Sequence, residues 1–423
     1  MPVPQFHSRE ELESFQLERL RELCTGLQGN AFWAPRIGSA APSSLAEFRK
    51  SIPLLEKGML AADQEAHPPF GSNLSHPLSR YVRAHQTSST SGATPLRWLD
   101  TEEDWSAMVD LWVEVLRAGG IGSEDRVFCA FSFGPFIGFW LAFEAAQRMG
   151  ALAISGGAMD SRQRLASMAD SVTTVLCSTP TYALHLAEVA REHGISFPDL
   201  RAIVVAGEPG GSLSSVRARL EDSWNAEVLD HHGMTETGPV TYQLTGIPGR
   251  LHVMEGSFLP ELVDPESGDH VPLEPGATGE LVLTTLQRSG SPVVRYRTGD
   301  LVRAGGFGKA PRPYLELEGG ILARADQMVL VRGVNVYPGA MDDLLRRFDG
   351  LAEYRVEVDR TRAMVDLRLF IEPQPGVSAS ELAEGIGRSL RDGWSLRVPV
   401  ETVEPGTLPR FELKARRWVE TGG

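Results

Sequence analysis

The sequence predicts an α/β protein with a large N-terminal domain of mainly parallel sheet, an added β subdomain, and a small α+β C-terminal domain. Three observations predict it. Between residues 126 and 229, short apolar β-type runs alternate with helix-length stretches, the signature of βα units stacked into a parallel sheet covered on both faces. After Gly246 the runs are short and separated by Gly/Pro turns such as Glu274-Pro275-Gly276, which suits antiparallel strands. From Gln327 a compact mixture of strands and helices returns. A length of 423 residues exceeds one ordinary core, so two or more domains are expected.

In chain order, the first eighty or so residues read as helical, with apolar residues at helical spacing over Leu12–Leu27 and Leu45–Leu55. A polar Ser/Thr/Gly stretch follows at Ala84–Pro95. Arg126–Phe131, Ala151–Ser155, Ser171–Cys177, Arg201–Ala206 and Ala226–Leu229 read as strands. Pro135–Met149, Ser161–Ala169, Pro180–His193 and Leu213–Trp224 read as the helices between them. The β subdomain is assigned Ser257–Val263, Gly279–Leu286, Pro292–Tyr296 and Tyr314–Leu317. The last unit is assigned strand Met328–Val331, helix Gly339–Phe348, strands near Tyr354–Val358 and Val365–Ile371, and helix Ala379–Leu390. No internal repeat and no long low-complexity tract is present.

Composition narrows the function classes. The chain carries 41 Lys+Arg against 55 Asp+Glu, a net charge of −14, and residues 327–423 hold 14 basic and 15 acidic residues. The acidity therefore belongs to the large N-terminal part. An acidic chain is poorly suited to nucleic acid or an anionic membrane, so neither is an expected partner. Cys24, Cys129 and Cys177 are three, odd in number and far apart, which fits a reducing compartment and no cysteine-rich zinc site. The N-terminus is charged, and no stretch reaches the roughly 18 apolar residues of a membrane span, so a cytoplasmic location is expected. Only Lys50, Lys57, Lys309 and Lys414 are lysines, so chemistry that needs an ammonium has few candidates.

Six segments carry candidate chemistry. Thr87-Ser88-Ser89-Thr90-Ser91-Gly92-Ala93-Thr94-Pro95 has the hydroxyls, backbone N–H groups and glycine to wrap a polyphosphate, but lacks the Gly-Lys-Ser/Thr of a P-loop and alone reads as readily as a polar linker. Ala206-Gly207-Glu208-Pro209 follows a strand, where open α/β sheets bind ligands, although an ordinary strand-to-helix turn would look the same. Asp230-His231-His232-Gly233-Met234-Thr235-Glu236 ends another strand. Adjacent His231 and His232 point to opposite sides of an extended segment and rarely share a metal, so Mg²⁺ held by Glu236 beside a phosphate is preferred to zinc. Tyr296-Arg297-Thr298-Gly299-Asp300 also suits a β-turn. Arg324-Ala325-Asp326 and Arg332-Gly333-Val334-Asn335 lie at the boundary drawn on composition, which divides the chain into 1–325 and 326–423. Lys414, near the C-terminus, is by itself an ordinary solvated lysine.

Together, in this order and spacing, the six segments resemble the acyl-adenylate-forming superfamily of acyl-CoA synthetases, peptide-synthetase adenylation domains and luciferases, and most of all its phenylacetate–CoA ligase branch. The resemblance covers roughly residues 80–420. It implies ATP, Mg²⁺ and CoA as cofactor and co-substrates, and a C-terminal domain that moves. Ser88, Ser89, Thr90, Ser91, Gly92 and Thr94 would hold the ATP phosphates. Gly207, Glu208 and Pro209 would line the adenine site. His231, His232, Gly233 and Met234 would flank the base and the acyl pocket. Thr235 would contact the α-phosphate, Glu236 would bind Mg²⁺, and Asp300 with Arg324 would hold the ribose. Asp326 would be the hinge, Gly333 would border the thiol tunnel, and Lys414 would bridge carboxylate and α-phosphate.

This chain departs from the family pattern in places. The phosphate loop usually contains Gly-Lys-Pro, but here it reads Gly-Ala-Thr-Pro, leaving Arg97 as the nearest replacement cation. His232 stands where a Tyr is usual, and Ala323 where a Gly is usual. Leu251–Glu255 keeps the flanks of a zinc site of some relatives without its cysteines, so no structural zinc is expected.

The acyl pocket of the family maps onto Phe131, Phe133, Phe136, Phe139, Ser155, Gly156, Gly157, Ala206 and His231. An aromatic lining favours a flat acid, and His231 offers a partner for a ring hydroxyl or amino group, although some of these phenylalanines will be plain core. The expected function is ATP-dependent activation of an aryl or arylacetic acid as acyl-AMP, then transfer to CoA. The alternatives are transfer to a carrier-protein thiol, an amine or another small nucleophile, and an inactive nucleotide-binding homologue. A homodimer is the one oligomer entertained.

Overall fold

The computed structural model describes residues 4–38, 41–87, 95–309, 311–331, 334–359, 365–394, 396–411 and 415–421. Its centre is a five-stranded, all-parallel sheet in the order Leu152–Ser155, Arg126–Cys129, Val175–Ser178, Ala202–Val205, Glu227–Asp230. Alternate residues face opposite cores. Val127, Cys129, Val175, Cys177 and Val204 pack with helices Glu102–Ala118 and Ile137–Arg148. Phe128, Leu176, Ile203 and Val205 pack with helices Ser161–Asp170, Pro180–Glu192 and Ser214–Trp224. Burial on both faces explains why these strands read as continuous apolar runs. Helix starts are fixed locally: the Thr179 hydroxyl accepts from Tyr182 N at 3.3 Å, and Asp160 and Gln163 form a reciprocal capping box.

The chain moves from Arg126–Cys129 to the edge strand Leu152–Ser155 and then back to the other side of Arg126–Cys129. This reversal opens a crevice beyond the carboxyl ends of the strands, where ligands of open α/β sheets sit.

The second layer is a seven-stranded antiparallel sheet, ordered Thr241–Tyr242, Arg250–Val253, Leu315–Arg324, Tyr296–Phe307, Thr278–Thr285, Phe258–Val263, His270–Val271. The N-terminal helices Arg9–Gly26 and Leu45–Ser51 cover part of it, with Leu20, Leu23 and Phe48 in one cluster with Leu259 and Tyr296. Leu55 bridges Tyr296: its N–H donates to Arg295 O, and Arg297 N–H donates to Leu55 O, both at 2.9 Å.

A separate α+β domain closes the chain. Its four-stranded sheet is ordered Val400–Thr402, Asp366–Pro373, Leu351–Asp359, Trp418–Thr421, and helices Pro338–Leu345 and Ala379–Trp394 complete a core of its own.

The sequence expectations differ from this fold at several places. Helix Glu102–Ala118 is not among the expected elements, although Trp105, Met108, Val109, Trp112 and Leu116 fall at helical spacing behind the Thr101 cap. Pro292–Tyr296 is not a strand: the strand begins at Tyr296, just after Arg295 at φ 48°. The polar stretch from Ala84 begins inside strand Tyr81–Gln86, which pairs with Arg97–Thr101. The strand Trp418–Thr421 is absent from the expected elements because it has no buried face to give an apolar pattern, and only its parallel pairing with Leu351–Asp359 defines it.

Candidate active site

The Asp230–Glu236 turn leaves the last strand of the parallel sheet and lies against the Tyr296–Phe307 strand. Neighbouring residues diverge, as the extended spacing predicts. His231 is buried, with its ring centroid 4.4 Å from that of Trp112. Its Nδ1 is 2.6 Å from Thr241 O. A carbonyl only accepts, so Nδ1 carries the hydrogen and Nε2 carries the lone pair. Burial pulls the imidazole pKa down to about 3, so the ring is neutral. Gly233 keeps space beside Nε2, since a Cβ there would stand 3.3 Å from it and 2.8 Å from Gly238 O.

His232 turns the other way. Its Nε2 lies 2.9 Å from Asp300 Oδ2, and its backbone N–H donates to the Thr241 hydroxyl at 3.0 Å. The second Asp300 oxygen accepts from Arg324 Nη1 at 3.0 Å, and Arg324 also donates to Thr298 O at 2.8 Å. Antiparallel pairing sets this meeting, because Asp300 and Arg324 are register partners on adjacent strands. Burial would raise the Asp300 carboxyl, but His232 and Arg324 outweigh it and hold the group below the usual carboxylate range.

Tyr296–Asp300 is therefore strand rather than a β-turn, with Gly299 at φ 77°. A Cβ on Gly299 would stand 2.8 Å from Arg324 Nη2. Gly299→Ala combines left-handed backbone strain of about 1–3 kcal/mol with displacement of that guanidinium. It should lower the thermal midpoint and raise the ATP KM about tenfold, measured by thermal unfolding and initial rates. An unchanged ATP KM would separate Arg324 from nucleotide binding.

Glu236 is 3% exposed. Its Oε1 accepts from the Tyr296 hydroxyl at 3.0 Å and lies 3.2 Å from Lys57 Nζ. Lys57 opens helix Lys57–Ala66, two residues beyond the Leu55 bridge that ties the N-terminal segment to the Tyr296 strand. It matches none of the six motifs, yet it is a cation beside the carboxylate assigned to Mg²⁺. Arg97, the replacement suggested by sequence proximity, faces elsewhere: it is exposed and donates to Pro69 O at 2.9 Å. Among the described residues no group of three or more His, Cys, Asp or Glu side chains gathers to hold a metal. A single buried carboxylate fits Mg²⁺ that is shared with phosphates and water, and does not fit an all-protein cage.

Arg288 also escaped notice in the sequence. It is 3% exposed and joins Asp100 to the turn, donating from Nε to Asp100 Oδ1 and from Nη1 to Thr235 O, both at 2.7 Å. Its only local signal is an arginine just past a strand.

The acyl-pocket candidates lie along the carboxyl edge of the parallel sheet. Phe131 and Phe133 meet edge-on at 5.7 Å, and Phe131, Trp112 and Phe133 share one apolar cluster. Gly157 brings the chain close to these rings, since a Cβ there would stand 3.0 Å from the Phe133 ring, whereas Gly156 packs toward the other core, where a Cβ would stand 2.7 Å from the Phe128 ring. Ser155 is exposed and accepts from Gly157 N at 3.2 Å, while Ala206 N donates to Ser178 O at 3.3 Å. Phe136 caps helix Ile137–Arg148 near Gly134, at the edge of this group.

Gly207, at φ 94°, starts the turn that carries Glu208 and Pro209. Thr87 anchors the phosphate-loop stem, its hydroxyl accepting from Leu96 N at 3.0 Å. Ser88, Ser89, Thr90, Ser91, Gly92, Thr94, Gly333 and Lys414 lie outside the described residues, as do the side chains of Phe139 and Asp326. Asp326 falls in the short turn Ala325–Gln327. No helix among the described residues is long and apolar enough to cross a membrane.

The family model of the AMP-binding enzymes matches residues 103–287, and that of the AMP-binding enzyme C-terminal domain matches 333–421. The phenylacetate-coenzyme A ligase of Aromatoleum evansii is 27% identical over 437 residues, covering 98% of this chain and 95% of that protein. The phenylacetate-coenzyme A ligase of Escherichia coli is 29% identical over 427 residues, with coverages of 97% and 95%. Among solved structures, a 2-hydroxyisobutyryl-CoA ligase in the postadenylation state, bound to R3-HIB-AMP, gives a TM-score of 0.91 at 28% identity over 99% of this chain and 91% of that one. The same ligase in the thioesterification state, with 2-HIB-AMP and CoA, gives 0.70 at 29% identity, with coverages of 98% and 91%. The chain belongs to the AMP-binding enzymes, the acyl-adenylate-forming superfamily that includes the phenylacetate–CoA ligases.

Proposed function

We propose that this AMP-forming acid–thiol ligase activates an aryl or arylacetic acid and passes it to CoA. The observation that carries the aryl assignment is the aromatic group of Trp112, Phe131 and Phe133 beside the neutral ring of His231. In the first half-reaction a carboxylate oxygen of the acid attacks the α-phosphorus of ATP, forming a C–O–P link as the bond to pyrophosphate breaks. In the second, the CoA thiol loses its proton and attacks the acyl carbon, and AMP leaves.

The roles follow the charges. Asp300, held anionic, accepts from the ribose hydroxyls, and Arg324 fixes its orientation. Thr235 contacts the α-phosphate, and Glu236 is the protein ligand for Mg²⁺. Bound there, the ion would neutralise the leaving pyrophosphate. Lys57 stands beside Glu236 and supplies the cation that the altered phosphate loop lacks. Lys414 neutralises the two anions that meet in the attack. Asp326 is assigned as the hinge of a mobile C-terminal domain, residues 326–423, and Gly333 as the edge of the thiol tunnel. Fixed cations aimed at developing charge each contribute roughly 3–4 kcal/mol.

His231 Nε2, an acceptor with no proton of its own, suits an acid that carries a hydroxyl or amino donor. A short 2-hydroxy acid is the second reading, favoured by the same atom. Both are tested by kcat/KM for phenylacetate, benzoate, their ring-hydroxy and ring-amino forms, and short 2-hydroxy acids. His231→Leu should lower kcat/KM for the donor-bearing acids roughly tenfold to a hundredfold relative to the plain acids. Equal effects on all acids would remove His231 from recognition. A product that forms with a carrier protein and not with CoA would replace the assigned acceptor.

A further inference from the structure

Glu208 belongs to the Gly-Glu-Pro turn that the family resemblance assigns to adenine, but its carboxylate is engaged elsewhere. Oε1 accepts from Thr181 N at 2.8 Å, and Oε2 accepts from Ala415 N at 2.9 Å. Thr181 sits in the first turn of helix Pro180–Glu192, where backbone N–H groups have no partner within the helix and favour an anion. Ala415 belongs to the C-terminal domain and directly follows Lys414. One carboxylate therefore ties the start of a large-domain helix to the backbone beside the lysine.

The other end of this segment is held from within the C-terminal domain. Arg417 is 9% exposed and forms a bidentate pair with Glu353, Nε to Oε1 at 2.6 Å and Nη2 to Oε2 at 3.0 Å. Glu353 lies on the strand Leu351–Asp359, which pairs with Trp418–Thr421. Arg417 Nη1 also reaches Thr181 Oγ1 at 3.5 Å. A third contact crosses between the domains, from the Ser215 hydroxyl to Asp343 Oδ1 at 2.9 Å. The residues just after Lys414 are thus gripped by Glu353 on their own domain and by Glu208 across the interface.

We infer that Glu208 is a positioning residue, an interdomain latch that holds the backbone at Ala415, next in sequence to Lys414, against the large domain for the adenylation step. This inference rests on the proposed two-step function. A rotation of the C-terminal domain that carries Lys414 away must break the Glu208–Ala415 bond, because its two ends lie on different domains. The whole chain matches the postadenylation arrangement of the 2-hydroxyisobutyryl-CoA ligase better than its thioesterification arrangement, with TM-scores of 0.91 against 0.70. The latch is closed in a chain that resembles the postadenylation arrangement, the state that directly follows the first half-reaction. Charge makes it reversible: the Glu208 carboxylate is half-buried and is resolvated at modest cost once released.

The test compares wild-type enzyme, E208A and E208Q in two assays with one acid. The first is acid-dependent ATP–pyrophosphate exchange, read as kcat and ATP KM. The second is thioester formation from supplied acyl-adenylate and CoA. Thermal midpoints identify a variant that has failed to fold, and E208Q keeps the side-chain volume in that event. The expected result is a fall in exchange kcat of about tenfold, the loss of a hydrogen bond to a charged acceptor, with ATP KM within about twofold and thioester formation unchanged or faster. A raised ATP KM with unchanged kcat would make Glu208 an adenine contact instead. Equal loss of both half-reactions, or exchange undiminished in both variants, would also overturn the latch. Wild-type enzyme without exchange on any acid contradicts the proposed function itself, a result distinct from all of these.

Discussion

Lys414→Ala is expected to abolish adenylate formation, lowering acid-dependent pyrophosphate exchange by at least about a hundredfold, while thioester formation from supplied acyl-adenylate continues at near wild-type rate. The physical reason is charge. An acid carboxylate and a triphosphate repel each other, and a fixed ammonium between them stabilises the attack more than the separated reactants. Once acyl-AMP exists that repulsion is gone, and the second step needs the lysine removed so that a thiol can enter. Exchange measured beside single-turnover thioester formation checks this. Equal loss of both steps would contradict an alternating domain.

Lys57→Met should have the next largest effect. A roughly tenfold to hundredfold fall in pyrophosphate exchange is expected, somewhat below the full value of a fixed donor because Lys57 is half-exposed. Lys57→Arg should recover part of the rate, because the charge is kept while its geometry changes. Arg97→Ala should leave exchange almost unchanged, since its guanidinium is turned onto Pro69 O. Initial rates at varied ATP decide the matter. Full activity in Lys57→Met with loss in Arg97→Ala would return the missing phosphate-loop charge to Arg97.

These two lysines show what the sequence discloses and what it conceals. Lys414 is assigned from the sequence alone, because it falls in register behind five other segments. Lys57 was not, because its partner Glu236 is distant in the chain and the two meet only when the N-terminal segment bridges Tyr296 through Leu55. The one usable signal was scarcity: four lysines and a phosphate loop without one. The same contrast runs through the fold. The parallel strands are readable because burial on both faces makes short continuous apolar runs, spaced by helix-length stretches. Helix Glu102–Ala118 is as legible as the strands, with Trp105, Met108, Val109, Trp112 and Leu116 at helical spacing behind the Thr101 cap, although it is absent from the expected elements. The Tyr296–Asp300 segment looked like a turn because Gly-Asp is common in turns. It is strand because Gly299 leaves room for Arg324, a reason that exists only after the sheet has formed. Glu208 was placed by analogy at adenine, whereas its partner, Ala415 N, is a backbone group that no side-chain motif records.

The most direct test of the whole assignment is product mass from purified enzyme with ATP, Mg²⁺ and a panel of aryl and arylacetic acids, with and without CoA, alongside pyrophosphate release. Acyl-AMP without CoA, and acyl-CoA plus AMP with it, is the predicted result for at least one aryl acid. Pyrophosphate release with every acid, aryl or not, but no mass of an acyl-CoA would contradict transfer to CoA, and absence of acyl-AMP from every aryl acid would contradict the aryl substrate.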